Sequence, residues 1–244
     1  MMALRRIFVE SISNGSAVVA GPKAHHLHRV ARLRPGEIVE VSDSQQAFVA
    51  EVKSCRAGEV EFSIREPIET PPPTARIAAG LAVCKFARLE LAMEKATELG
   101  VTAIVPLVAA RSDKGLAQGA SKRHERWERI AEEAASQSRR LAPPVVEPPV
   151  PFHQVLVNRT TGLRLFLDVD CPLMKDVLAE KANSGKPWEE AILLIGPEGG
   201  WTDEERLAAR EAGYQAVGLG TGILRAETAA IAALAVLRHW LGGS

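Results

Sequence analysis

Two stretches near the end of the chain combine residue types that can build a ligand site: LLIGPEGGWTDEER (193–206) and VGLGTGILRAETAA (217–230). Each is an apolar run that stops in glycines and reopens as a helix. Gly196, Gly199 and Gly200 in the first, and Gly218, Gly220 and Gly222 in the second, lack a Cβ. The backbone there can approach a ligand closely or adopt positive φ. Thr202 and Glu205 have the T-x-x-E spacing of a capping box, which fixes where the next helix starts. Seven glycines between positions 196 and 222 exceed what plain strand-to-helix turns require, although Gly213 reads better as a helix C-cap. The pattern predicts one ligand pocket made by two neighbouring turns.

Spacing excludes two familiar glycine-turn chemistries. No G-x-x-x-x-G-K-[ST] occurs, so the chain has no P-loop. G-x-G-x-G at 218–222 resembles a dinucleotide turn, but such a site needs a further βαβ unit and an acidic residue about 20 positions on. Here a single helix follows, with nothing acidic after Glu227. His25, His26 and His28 have no accompanying cysteine or carboxylate cluster, so no metal site is expected. Cys55, Cys84 and Cys171 are scattered, with no CxxC pair, which points to a reducing compartment.

Two halves of different grammar must position these turns. EIVEVSD (37–43), AFVAEVKSC (47–55) and EVEFSIREP (59–67) alternate apolar and polar residues and lie close together. They predict antiparallel strands in a small barrel or sandwich over residues 1–70. ETPPPT then predicts a stiff linker at 71–75. Over 76–244, strand and helix alternate five times, as in a parallel sheet covered on both faces. Gly100 is placed to end the first helix, and Trp127 and Ile130 are expected in the core. APPVVEPPVP (142–151) is expected to be irregular. In such α/β sheets ligands sit beyond the carboxyl ends of the strands, where both glycine turns fall.

Charge is balanced, with 30 basic and 30 acidic residues, yet residues 1–36 carry Arg5, Arg6, Lys23, Arg29, Arg32 and Arg34 against Glu10 alone. This local excess predicts contacts to RNA phosphates, with His25 and His26 beside them. Lys85, Arg88 and Arg111 fall at the strand ends that carry the glycine turns and are placed to guide RNA inward. MMALRRIFVES lacks an apolar stretch after its arginines, so no secretory signal is expected, and the most apolar segment, 226–241, is short for a membrane span. A cytoplasmic protein without membrane attachment is expected.

GPEGGWTDEE followed by LGTGILRAETAA resembles the closing motifs of the SPOUT class of S-adenosylmethionine-dependent RNA methyltransferases, and more narrowly the ribosomal RNA small subunit methyltransferase E family. MEKATELGV (93–101), the SQSRR segment, RRIFV (5–9) and HHLHRVARLRPGE (25–37) extend the resemblance over nearly the whole chain. It implies an α/β fold: a C-terminal parallel-sheet SPOUT domain with a trefoil knot, plus a small N-terminal PUA-like β-barrel. It also implies a homodimer that methylates uridine N3 in 16S rRNA, within the small ribosomal subunit or an assembly intermediate. By the same resemblance, Leu194, Gly196, Pro197, Glu198 and Gly199 line one wall of the S-adenosyl-L-methionine pocket. Leu219, Gly220, Ile223 and Leu224 form the other, while Arg225, Glu227 and Thr228 face the reaction. Gly222 stands where the family pattern LG-x-R-[IV]-L-R has its first arginine, and Ser136 where a glutamate is common. Arg225 is implied to contact the uracil or orient a carboxylate, with Glu198 or Glu227 as base. A methyltransferase acting on another nucleotide or on ribose 2′-OH, or a catalytically silent RNA-binding assembly factor, fits the same residues.

Overall fold

The computed structural model of the chain describes residues 5–70, 75–159, 161–182 and 188–242. All but Ala75 of the linker expected at 71–75 lies outside them. The chain divides into two compact units, residues 1–72 with 135–143, and residues 73–134 with 144–244.

In the first unit, β1 (Arg6–Phe8), β2 (Ile12–Ser13), β3 (Ser16–Ala20), β4 (Ile38–Ser42), β5 (Ala47–Cys55) and β6 (Glu59–Ile68) form one sheet in the order β1-β4-β5-β6-β3-β2. The alternating stretches pair antiparallel as their spacing requires, β4 with β5 and β5 with β6. β1 departs from the antiparallel expectation and runs parallel to β4. The helix α1 (Gly21–Arg29) intervenes between β3 and β4, and its Ala24 and Leu27 join Val41, Val52, Val60 and Phe62 in the core.

The second unit is built on a seven-stranded, wholly parallel sheet. Its elements are β7 (Arg76–Ala82), α2 (Phe86–Glu98), β8 (Ala103–Val108), α3 (Lys114–Ala120), α4 (His124–Gln137), β9 (Val145–Val146), β10 (Val150–Pro151), α5 (Phe152–Asn158), β11 (Leu163–Leu167), α6 (Met174–Ala182), β12 (Glu190–Ile195), α7 (Asp203–Glu211), β13 (Gln215–Val217) and α8 (Ala226–Trp240). The order is β10-β8-β7-β12-β11-β13, with β9 also on β8. Near-continuous burial of β7 and β12 reflects helices on both faces: α2, α4, α6 and α8 on one, α5 and α7 on the other. Gly100, at φ +88°, follows the C-cap of α2, and Trp127 is fully buried with Ile130 packed beside it.

The proline-rich stretch 142–151 is not irregular throughout. Val145–Val146 and Val150–Pro151 pair in parallel with β8 as β9 and β10, and Pro151 is tolerated because β10 is an edge strand. Residues 135–143 count with the first unit. Within it the Ser136 hydroxyl donates to the Arg6 carbonyl and the Ser42 hydroxyl to that of Leu141 at 2.6 Å.

Candidate active site

The first glycine turn is a packed structure. Along β12 successive side chains alternate faces, so Ile195 joins the core on the α8 side and Leu194 the opposite one. Leu194 lies opposite Gly80 of β7, where an added Cβ would overlap the Leu194 Cδ2. Beyond β12, the Gly200 amide donates to the Pro197 carbonyl at 2.8 Å, with Gly200 at φ +69°. Trp201 is then fully buried, its indole N–H donating to the Leu167 carbonyl at 2.9 Å and its ring 4.9 Å from that of Phe152.

Thr202 and Glu205 form the capping box of α7. The second Glu205 oxygen accepts from the Ala110 amide at 2.7 Å, tying the loop after β8 to the same turn. From that loop the Arg111 guanidinium donates to the Gly199 carbonyl at 2.7 Å.

The second turn is threaded against the loop after β11. The Gly218 amide donates to Pro172 and its carbonyl accepts from Met174, both at 2.8 Å. A Cβ on Gly218 would meet the Cys171 carbonyl oxygen at 2.9 Å. Residues 219–225 are neither helix nor strand, and Ile223 is 93% exposed. Gly220 has φ +123°, whereas Gly222 has neither a positive φ nor any atom within 4 Å of a built Cβ.

Between the turns lies a cavity of about 380 Å³. Gly196, Pro197, Glu198 and Gly199 border it on one side, and Leu219, Gly220, Ile223 and Leu224 on the other. Leu194 does not, because strand alternation points it into the core away from the cavity. Arg225 and Thr228 are exposed at the start of α8 and are not among its lining residues, and neither is Glu227.

Glu227, Arg88, Cys84 and Gly196 border a small adjoining recess instead. Arg88 pairs with Glu198 at 2.9 Å and lies 3.9 Å from Glu227. Burial, followed by the two carboxylates, pushes the Cys84 thiol up to about 12. The sequence reading missed Leu167, Asp168, Trp201 and Arg206, which also line the cavity. Asp168 and Arg206 form an ion pair at 2.7 Å, which raises the Arg206 guanidinium further above its usual range. The position of LDVD (167–170), at the carboxyl end of a parallel strand, is the signal that marks Asp168.

The basic residues divide. Arg6 is only 3% exposed and pairs with Glu40 at 2.9 Å, so it is not an RNA contact: its charge is consumed inside the first unit. His25, Arg29, Arg32 and Arg34 are exposed, and Arg5 and His26 half-buried. His26 and Arg29 also lie in the last turn of α1, where positive charge suits the helix dipole. Lys85 and Arg111 are exposed near the glycine turns.

The RNA methyltransferase domain family matches residues 70–238. Ribosomal RNA small subunit methyltransferase E of Bacillus subtilis is 33% identical, over 91% of this chain and 89% of that protein. Its namesake from Synechocystis is also 33% identical, over 99% of this chain and 79% of that protein. The chain belongs to the ribosomal RNA small subunit methyltransferase E family. A family member from Neisseria gonorrhoeae, solved bound to S-adenosyl methionine, matches with a TM-score of 0.84 and 28% identity, covering 97% of this chain and 98% of that one. Membership in this family therefore extends across both units, beyond the stretch that the domain family matches.

Proposed function

We propose that the protein transfers a methyl group from S-adenosylmethionine to N3 of a uridine in 16S rRNA. The observation that carries this reading is the cavity between the two glycine turns, in a chain whose structural relative was solved with that donor. Its volume falls within the range of small-molecule sites, roughly 300–1,000 Å³. Leu167, Leu219, Leu224 and Ala229 offer apolar surface for the adenine, and the irregular backbone of both turns offers hydrogen-bonding groups for its edges. The donor, when bound, supplies a methyl group on a positively charged sulfur.

The chain's own residues must then hold the uracil in line and manage the N3 proton, and positioning alone can supply much of the rate. Arg225 is the N-cap residue of α8, exposed and without a side-chain partner among the described residues. It is free to stabilise negative charge developing on the uracil oxygens. Glu198, which borders the cavity, or Glu227, in the adjoining recess, accepts the proton. His25, Arg29, Arg32, Arg34, Lys85 and Arg111 supply contacts to RNA phosphates.

The finer architecture belongs to the same reading. A trefoil knot is supported by the path from β13, at one sheet edge, back to α8 on α2, with Gly218 held by the 172–174 loop. The curled first sheet serves as a PUA-like barrel. Exposed Leu91 of α2 and Val236 of α8 support a homodimer. Among the described residues no helix is long and apolar enough to cross a membrane, and we place the protein in the cytoplasm with its ribosomal substrate.

Primer extension on small-subunit rRNA from cells with and without the gene tests the reading. A gene-dependent stop at one uridine is expected, because an N3 methyl blocks the pairing edge. Identical extension in both strains overturns it. Arg225→Ala is expected to cut turnover far more than donor affinity.

A further inference from the structure

We infer that Arg88 is a positioning residue for the two carboxylates of the site, Glu198 and Glu227, and not an RNA contact. The inference rests on the methyl-transfer reading for its consequence and on geometry for its substance. Arg88 projects from the first turn of α2, just beyond the carboxyl end of β7. One terminal nitrogen lies 2.9 Å from Glu198 Oε1 and Nε lies 3.9 Å from Glu227 Oε1. Glu198 stands on the turn after β12 and Glu227 on the first turn of α8, so one guanidinium joins the two chain segments that flank the cavity. A planar fork of donors can serve two acceptors in different directions, which a lysine ammonium on a flexible stem does less well.

Glu227 makes the arrangement more than a surface ion pair. Its side chain is 12% exposed, and its Oε2 is buried without a hydrogen-bond partner among the described residues. A carboxylate this withdrawn from water is costly unless a cation faces it. Among the described residues that line its recess, the titratable ones besides Glu227 are Cys84 and Arg88 from the β7–α2 junction, and Glu198 from the turn after β12 shares the same guanidinium. Cys84 is a neutral thiol, which leaves Arg88 as the cation of this cluster. The Arg88 side chain is 30% exposed, and its guanidinium is turned to these two carboxylates.

Arg88→Ala and Arg88→Lys test the assignment against wild type with three readouts. In the ligand-free protein, amide hydrogen exchange of the 197–200 and 226–229 segments is expected to quicken together in Arg88→Ala. RNA affinity and its salt dependence, measured by filter binding, are expected to stay at wild-type values. A phosphate contact would instead weaken binding and reduce the salt slope by about one. Turnover on rRNA is expected to fall at least about tenfold in Arg88→Ala with KM for RNA unchanged, and to recover in part in Arg88→Lys. Weakened RNA binding with unaltered exchange at both segments overturns the inference. Should wild type itself transfer no methyl group, the functional reading fails, while the exchange and binding measurements still decide Arg88. If Arg88→Ala does not fold, Arg88→Lys carries the same comparison, since it keeps the charge but not the fork.

Discussion

The ring of Trp201 packs directly onto Gly196, so closely that a Cβ at position 196 would stand 3.0 Å from Trp201 Cε2. The indole cannot easily retreat, because its N–H is bonded to the Leu167 carbonyl and its far side meets Phe152. Gly196 is thus demanded by packing at the base of the cavity, in addition to any ligand's approach. Gly196→Ala is expected to cost about 1–3 kcal/mol, the usual penalty of overpacking. Urea unfolding checks the stability. Calorimetry with S-adenosylmethionine is expected to show weaker binding, because the displaced ring borders the cavity.

Arg6 and Glu40 form a second constraint. Both side chains are buried, and Arg6 also donates to the Arg139 carbonyl at 2.6 Å. Removing one partner leaves a buried charge, although Arg139 at 3.6 Å retains some compensation for Glu40. Arg6→Met is therefore expected to destabilise the protein by roughly 3 kcal/mol, within the range for breaking a buried pair. Chemical denaturation measures this. The salt slope of RNA binding is expected to stay unchanged, whereas Arg32→Ala, at an exposed position, is expected to reduce it by about one.

Arg6 also shows where sequence reading stops. The alternation of the N-terminal strands, the five strand–helix units, the capping box at Thr202 and Gly100 at the end of α2 are legible because each is a local pattern. Burial of an arginine depends on a partner far along the chain, Glu40, and a count of charges over residues 1–36 cannot include it. The same limit explains residues 135–143, whose company is chosen by Ser136 and Leu141 reaching β1 and β4. The motif assigns Leu194 to the pocket, yet strand periodicity places it on the face opposite Ile195. Asp168 follows β11 and Arg206 lies on α7, beyond β12, so the two meet only once β11 and β12 are neighbours.

Cys84 borders the site beside two carboxylates, an environment that suppresses thiolate formation. Burial first, then Glu198 and Glu227, raise it from 9.0 to about 12, and burial likewise raises Tyr214 from 10.0 to about 12. Above its ordinary value each group loses its proton sooner in the unfolded chain than in the folded one. The unfolded state then binds fewer protons, so stability falls as pH rises. Thermal unfolding is expected to show a declining Tm from about pH 9 towards pH 12, and Cys84→Ala is expected to flatten the early part of that decline. Alkylation at pH 8 followed by mass mapping is expected to leave Cys84 unmodified when the less buried Cys55 and Cys171 have begun to react.

Gly222 occupies the place of an arginine in the motif that the chain otherwise resembles, and its surroundings impose no reason for glycine. Its φ is not positive, and a built Cβ meets nothing within 4 Å. Residues 221–225 are exposed, so a long side chain at 222 can extend into solvent at the cavity's edge. Gly222→Arg is therefore expected to change stability by no more than about 0.5 kcal/mol, as at other unconstrained surface sites. The added charge lies on the loop that ends in Arg225, where the RNA is proposed to approach. It is expected to lower KM for rRNA at low ionic strength, with the gain fading as salt is raised and counterions compete. Steady-state kinetics at two salt concentrations check this against Gly222→Gln, which adds comparable bulk without charge. Equal gains in the two variants would locate the effect in loop rigidity, and a gain confined to the arginine would locate it in phosphate attraction.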